Sequence, residues 1–274
     1  MKKLNFFQNR PKASKIDVAS YLKRIDLKQA EPSFKYLKAL QKAHLTSIPF
    51  ENLDIHYGSK IILDYKRIYE KIVFQKRGGF CYELNGLFYH LLYHLGFDCY
   101  IISAQVMNER TEKFGKPFDH MAIVVALDEE LWIVDVGFGD GPISPLKIQV
   151  GVVQMDYTRY WRIDTDPDEN LILRVSNDTS YFKSKYLFTT EEKQLIQFME
   201  MCEYHQTSVD SPFTQKKLIS QHTNNGRVTL SDRTLKITSL GETHEEDIMH
   251  EDEFLSKLDH HFGISYKQLL PKKT

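Results

Sequence analysis

A change of hydrophobic period near residue 97 constrains the fold of this chain more than any other feature. Before it, apolar residues recur at helical spacing. After it, short runs rich in Val, Ile, Tyr and Trp follow one another, with turn residues and no helical pattern between them. Consecutive strands of that kind pair antiparallel, which leaves a barrel or a sandwich for the middle of the chain. The runs cover 99–106, 121–126, 131–136, 160–163 and 171–175.

Upstream, Asp17 is placed to cap a helix carrying Val18, Tyr21, Leu22 and Ile25. A second helix runs from about Ser33 to near Pro49, with Tyr36, Leu37, Leu40 and Ala43 on one face. A third covers about 64–76 and stops at Gly78-Gly79. A fourth begins at or just before Cys81, carries Leu84, Leu87, Phe88, Leu91, Leu92 and Leu95, and runs to Gly96; its wide apolar face predicts burial. Downstream, a helical stretch opens after Thr189 and carries Leu195, Ile196, Phe198 and Met199. A hairpin pairing 227–230 with 235–237 and a last helix around 253–262 follow. With 274 residues, the chain exceeds the usual size of one core. Three contiguous regions result: 1–97 helical, 98–188 β and 189–274 α/β.

Composition narrows the function classes. Lys plus Arg number 36 against 37 Asp plus Glu, so no net charge draws the chain to nucleic acid or an anionic membrane. No apolar run reaches bilayer length, and Lys2-Lys3 is followed only by Phe6 and Phe7 before polar residues, too little for a signal peptide. The expected location is the cytoplasm. Cys81, Cys99 and Cys202 form neither a C-x-x-C pair nor a zinc-type cluster with His, so no disulfide framework and no metal are expected.

What remains is whether one cysteine is reactive. Arg77-Gly78-Gly79-Phe80-Cys81-Tyr82-Glu83-Leu84-Asn85 puts a thiol just after a tight turn, at a helix start. The macrodipole and the unpaired N–H groups there favour thiolate, and Arg77 is expected to push the same way. Those amides can also serve an oxyanion. Read alone, Cys81 is equally a small buried hydrophobe, which is the reading kept for Cys99 and Cys202. A thiol nucleophile needs a base and the base an orienting group. His120 stands at the entrance of the 121–126 strand, and Asp135 interrupts the apolar run 131–136, where a carboxylate is costly unless paired. One hairpin would make them neighbours, although the turn at 128–130 leaves the register, and the need for a bulge, open. Gly137-Phe138-Gly139-Asp140-Gly141-Pro142 is no dinucleotide loop, because Pro142 and Pro145 forbid the helix that must follow. His244, His250, His260 and His261 read as solvated surface.

Together with Pro49-Phe50-Glu51-Asn52-Leu53-Asp54, Phe118-Asp119-His120 and Val134-Asp135-Val136-Gly137-Phe138-Gly139, the cysteine segment resembles the arylamine N-acetyltransferase family, with four blocks in the family's order. The resemblance implies an α+β multidomain fold: an N-terminal helical bundle, a central antiparallel β-barrel and a C-terminal α/β lid, around a cysteine-protease-like core. It implies Cys81 as nucleophile, His120 as base and Asp135 as its orienter. Phe50 and Phe138 would line the acceptor pocket, with Val106 beside them. Gly137 and Gly139 would flank the pantetheine of coenzyme A, and Ser211 and Thr229 would contact its nucleotide. Arg77 and Glu51 would hold the cysteine loop. The implied reaction is ping-pong acetyl transfer from acetyl-coenzyme A, as cosubstrate, to an aromatic amine or hydrazine, with no metal, nucleic acid or membrane involved. The implied state is a monomer or weak homo-oligomer. The rivals are another acyl chemistry on the same triad, including hydrolysis, and a binding module without turnover.

Overall fold

Side-chain caps set the helix starts. The computed structural model describes residues 16–157 and 159–271. Asp17 accepts from the Ser20 amide and opens Val18–Arg24, as expected. Ser33 accepts from Tyr36 and opens Phe34–Ser47, which ends just before Pro49. Asp64 caps Tyr65–Tyr69, but the expected helix to residue 76 widens there into a π-helical turn, Glu70–Phe74. Cys81–His94 is buried on nearly every side of its first two turns, and the chain leaves it through Gly96 at φ 90°.

A nine-stranded antiparallel sheet follows. Its path runs Leu146–Lys147, Glu130–Val134, His120–Leu127, Asp98–Asn108, Lys183–Phe188, Leu171–Ser176, Arg159–Thr165 and Gln154–Asp156, and Lys113–Phe114 pairs off the path with Asp98–Asn108. Asp98–Asn108 joins the hairpin after it to the last strand of the unit, and the sheet curls into a nearly closed barrel. One face, with Tyr100, Ile102, Val124, Ile133, Trp161 and Phe188, fills the barrel. The other, with Cys99, Ile101, Met121, Ile123 and Val125, packs on the helices. Burial on both faces explains why residues 121–126 read as a continuous apolar run instead of alternating.

A second sheet joins Phe50–Glu51 to Leu218–Thr223, Gly226–Ser231, Thr234–Ser239 and Glu242–Asp247, and Glu251–Phe262 packs on it. The third region is therefore not built from its own residues alone. Phe50–Glu51 is one of its strands, while Leu195, Phe198 and Cys202 belong to the first core.

Candidate active site

Close backbone approach shapes the cysteine loop. The Glu51 amide donates to the Gly79 carbonyl at 2.8 Å, and the Gly79 amide to that of Pro49 at 3.4 Å. A Cβ on Gly78 would lie 2.1 Å from the Pro49 oxygen, so only glycine fits. Beneath the loop lies a buried ion network. Arg77 donates to Glu51 at 2.9 Å and to Asp54 at 2.8 Å. Lys71 reaches Asp54 at 2.7 Å and Glu83 at 2.9 Å. Glu83 in turn accepts from the Phe80 amide at 3.1 Å, tying the first helical turn to the residue before Cys81. Burial raises the Glu83 carboxyl to about 7, against the pull of Lys71. Arg77 is thus matched by Glu51 and Asp54, and the expectation that it acts on the Cys81 thiol is corrected.

His120 and Asp135 meet as the hairpin predicts, without a bulge. Asp128 and Glu129 both take positive φ, 53° and 63°, and Leu127 pairs with Glu130. That two-residue turn suits the strand twist and fixes the register. Continued past Ile123–Val134, the register puts Ala122 opposite Asp135, so His120 and Asp135 lie diagonally on the barrel-facing side. His120 Nε2 is 2.7 Å from Asp135 Oδ2. The other carboxylate oxygen accepts from Asn85 Nδ2 and the Gly137 amide at 2.9 Å, and from the Phe138 amide at 3.1 Å. His120 and Asp135 are 2% and 1% exposed, so the pair is shielded from water.

Cys81 is 3% exposed. Burial pushes its thiol well above the ordinary range, the carboxylates of Asp119 and Asp135 add to that, and the Met121 amide opposes it. A lone thiolate is therefore disfavoured despite the helix start.

A cavity of about 630 Å³ opens on Cys81 and His120. Phe50, Phe138, Val106, Gly137, Gly139 and Thr229 line it. A Cβ on Gly137 would lie 2.8 Å from the Cys81 Cα, whereas one on Gly139 would meet open space. Gly137 is thus required for packing on the Cys81 backbone. Ser211 must be corrected: it is 0% exposed, accepts from the Phe213 amide, donates to the His205 carbonyl and stands off the cavity wall. Among the described residues no group of His, Cys, Asp and Glu is arranged to hold a metal, and no helix is long and apolar enough to cross a membrane.

A family model described as N-acetyltransferase matches residues 33–270. The chain belongs to the arylamine N-acetyltransferase family of acyltransferases. It is similar to the Mycolicibacterium smegmatis arylamine N-acetyltransferase, at 30% identity over 93% of this chain and 94% of that one. The structure of the same relative superposes with a TM-score of 0.85. It is also similar to mouse arylamine N-acetyltransferase 2, at 28% identity over 94% of this chain and 97% of the relative. A Bacillus cereus member, described as having a Cys-His-Glu catalytic triad, superposes with a TM-score of 0.84 at 27% identity, over 92% of this chain and 100% of that one.

Sequence reasoning gave no role to several cavity or support residues of this family member. Asn85 binds Asp135, the Met121 carbonyl (2.6 Å) and the Val136 amide (2.9 Å), clamping helix to hairpin. Its position four residues after Cys81, on the same helix face, was the available signal. Arg227 donates to the Gly139 carbonyl across 88 residues of chain, for which no local signal exists. With Arg159 and Lys185 it surrounds Asp140, holding that carboxyl down at about 2.

Proposed function

We propose that this protein transfers an acetyl group from acetyl-coenzyme A to the nitrogen of an arylamine, arylhydrazine or hydrazide, by a ping-pong mechanism through an acetyl-Cys81 thioester. One observation carries the reading: a single cavity exposes a helix-start cysteine and an imidazole whose Nε2 is committed to a buried carboxylate. That commitment leaves Nδ1 of His120 to exchange a proton with Cys81, while Asp135 orients the ring and stabilises the imidazolium.

In the first half-reaction the Cys81 proton passes to His120 as sulfur attacks the acetyl carbon. Coenzyme A leaves as the thiol, taking the proton from His120. In the second, the acceptor nitrogen attacks the thioester and His120, now neutral, collects its proton. Phe50 and Phe138 favour a flat acceptor and exclude water, which favours transfer over hydrolysis. Gly139 leaves room for the pantetheine arm, and Arg227, Lys116 and Thr229 give the cavity positive charge and a hydroxyl for the phosphates. Region 1–97 supplies the nucleophile, 98–188 the base and its orienter, and 189–274 the cover over the donor.

Initial rates with both substrates varied test this. Parallel double-reciprocal lines are expected, with coenzyme A competing with the acceptor. Intersecting lines would reject an acyl-enzyme and leave direct transfer.

A further inference from the structure

The cavity wall holds a second imidazole–carboxylate pair that this mechanism does not use. His205 and Asp119 both line it. His205 Nε2 lies 3.2 Å from Asp119 Oδ1, and its Nδ1 lies 3.2 Å from Ser211 Oγ. Asp119 Oδ2 accepts from the Val106 amide at 3.2 Å. Gly115 leaves the space for it, since a Cβ there would lie 2.4 Å from that oxygen. The carboxylate is thus held from two sides in one orientation. Ser211 is fully buried, so Ser211–His205–Asp119 is no second nucleophile system. Every element of the relay fixes the carboxylate.

Two properties point to a ligand for it. A carboxylate has about four lone-pair sites, and one imidazole and one peptide amide leave room for another donor from the cavity. Asp119 also opposes ionisation of Cys81, a penalty in the first half-reaction that a purely structural hydrogen-bond acceptor could avoid by being neutral. Lys116 lines the same cavity, but its Nζ lies 4.1 Å from the centre of the Tyr204 ring, a cation–π placement.

We propose that Asp119 binds the acceptor, receiving an N–H of the incoming amine or hydrazine and offsetting the positive charge that builds on that nitrogen as it attacks acetyl-Cys81. This rests on the acyl-transfer reading above. In the step the C–N bond forms, the C–S bond breaks, Cys81 leaves as thiolate and the nitrogen's proton goes to neutral His120; Asp119 takes no proton. Acceptors rich in N–H donors, hydrazines and hydrazides, are favoured. Acceptors carrying their own carboxylate are repelled.

The test separates the half-reactions. Asp119→Asn should acetylate Cys81 from acetyl-coenzyme A at least as fast as wild type. Its acetyl-enzyme should then show a KM for phenylhydrazine raised roughly tenfold or more, as expected for loss of a charge-assisted hydrogen bond. Its selectivity should move toward 4-aminobenzoate. His205→Gln, which keeps the charge and loosens its hold, should shift selectivity the same way by less. If Asp119→Asn does not fold, wild type alone decides, because it should prefer methyl 4-aminobenzoate to 4-aminobenzoate. Equal losses with both acceptors, or a wild-type preference for the carboxylate, overturn the proposal. Failure of Cys81 to acetylate overturns the transfer reading instead, before any acceptor is added.

Discussion

Cys81 sits where its own ionisation is opposed, by burial and by the Asp119 and Asp135 carboxylates. On the proposed mechanism its reactivity depends on His120, and the sign is testable. In wild type, alkylation by iodoacetamide should stay fast below the ordinary thiol value of about 8.5, because proton transfer to the imidazole supplies the anion. In His120→Asn no imidazole takes up the thiol proton, so the profile should move above that value; an unmoved profile contradicts the pairing. Asn85→Leu keeps the volume and removes the clamp on Asp135. It should lower kcat by roughly 10- to 100-fold and stability by about 1–3 kcal/mol, read by pre-steady-state kinetics and urea unfolding. The candidates Cys81, His120 and Asp135 stood out in the sequence because each violates its local context: a thiol after a Gly-Gly turn, a histidine at a strand entrance, an acid in an apolar run. His205 and Arg227 were not, since their partners lie 86 and 88 residues away in sequence.

The cysteine loop, at the next scale, is an element held from below by charge. Glu83 and Lys71 are buried partners at 2.9 Å, and Glu83 also caps the Cys81 helix. Removing one member of a buried ion network leaves the other uncompensated, at a penalty of about 3–5 kcal/mol. Lys71→Met should therefore lower the thermal midpoint and slow Cys81 acetylation together. A fully stable Lys71→Met protein contradicts the network's role. The long elements were legible from period and caps, Asp17 and Ser33 among them. Seven of the described strands were missed, and three of them show why. Phe50–Glu51 is too short to show a period. In Lys183–Phe188, Lys-Ser-Lys precedes the only apolar residues. Glu242–Asp247 is an exposed edge strand, and its charges, which guard against edge pairing, hide it from any apolar pattern.

Across the whole molecule, the described cores bury histidines that must stay neutral. His44, hydrogen-bonded to the Tyr21 hydroxyl at 2.8 Å, is lowered by burial to about 3. His222 is lowered to about 4 by burial and by Arg227 and Arg159. Both pKa values fall below the unfolded value near 6.5, so the unfolded chain takes up the protons first on acidification. Their contribution is intact above about pH 6.5 and is lost as pH falls toward 4 and 3, by up to about 1.4 kcal/mol per unit and per histidine. Urea midpoints should drop between pH 7 and 5, and His222→Gln should flatten that slope. The order helices, barrel, lid was legible from the change of period and the motif blocks. That the lid's sheet borrows Phe50–Glu51 was not, because this pairing spans the chain.

The central claim is that Cys81 carries the acetyl group, and intact-mass spectrometry tests it most directly. Wild-type protein mixed with acetyl-coenzyme A alone should gain one acetyl group, Cys81→Ala should gain none, and an added aromatic amine or hydrazine should remove it. Wild type that gains no acetyl group at any pH where it stays folded, or a Cys81→Ala variant that still gains one, would contradict the account.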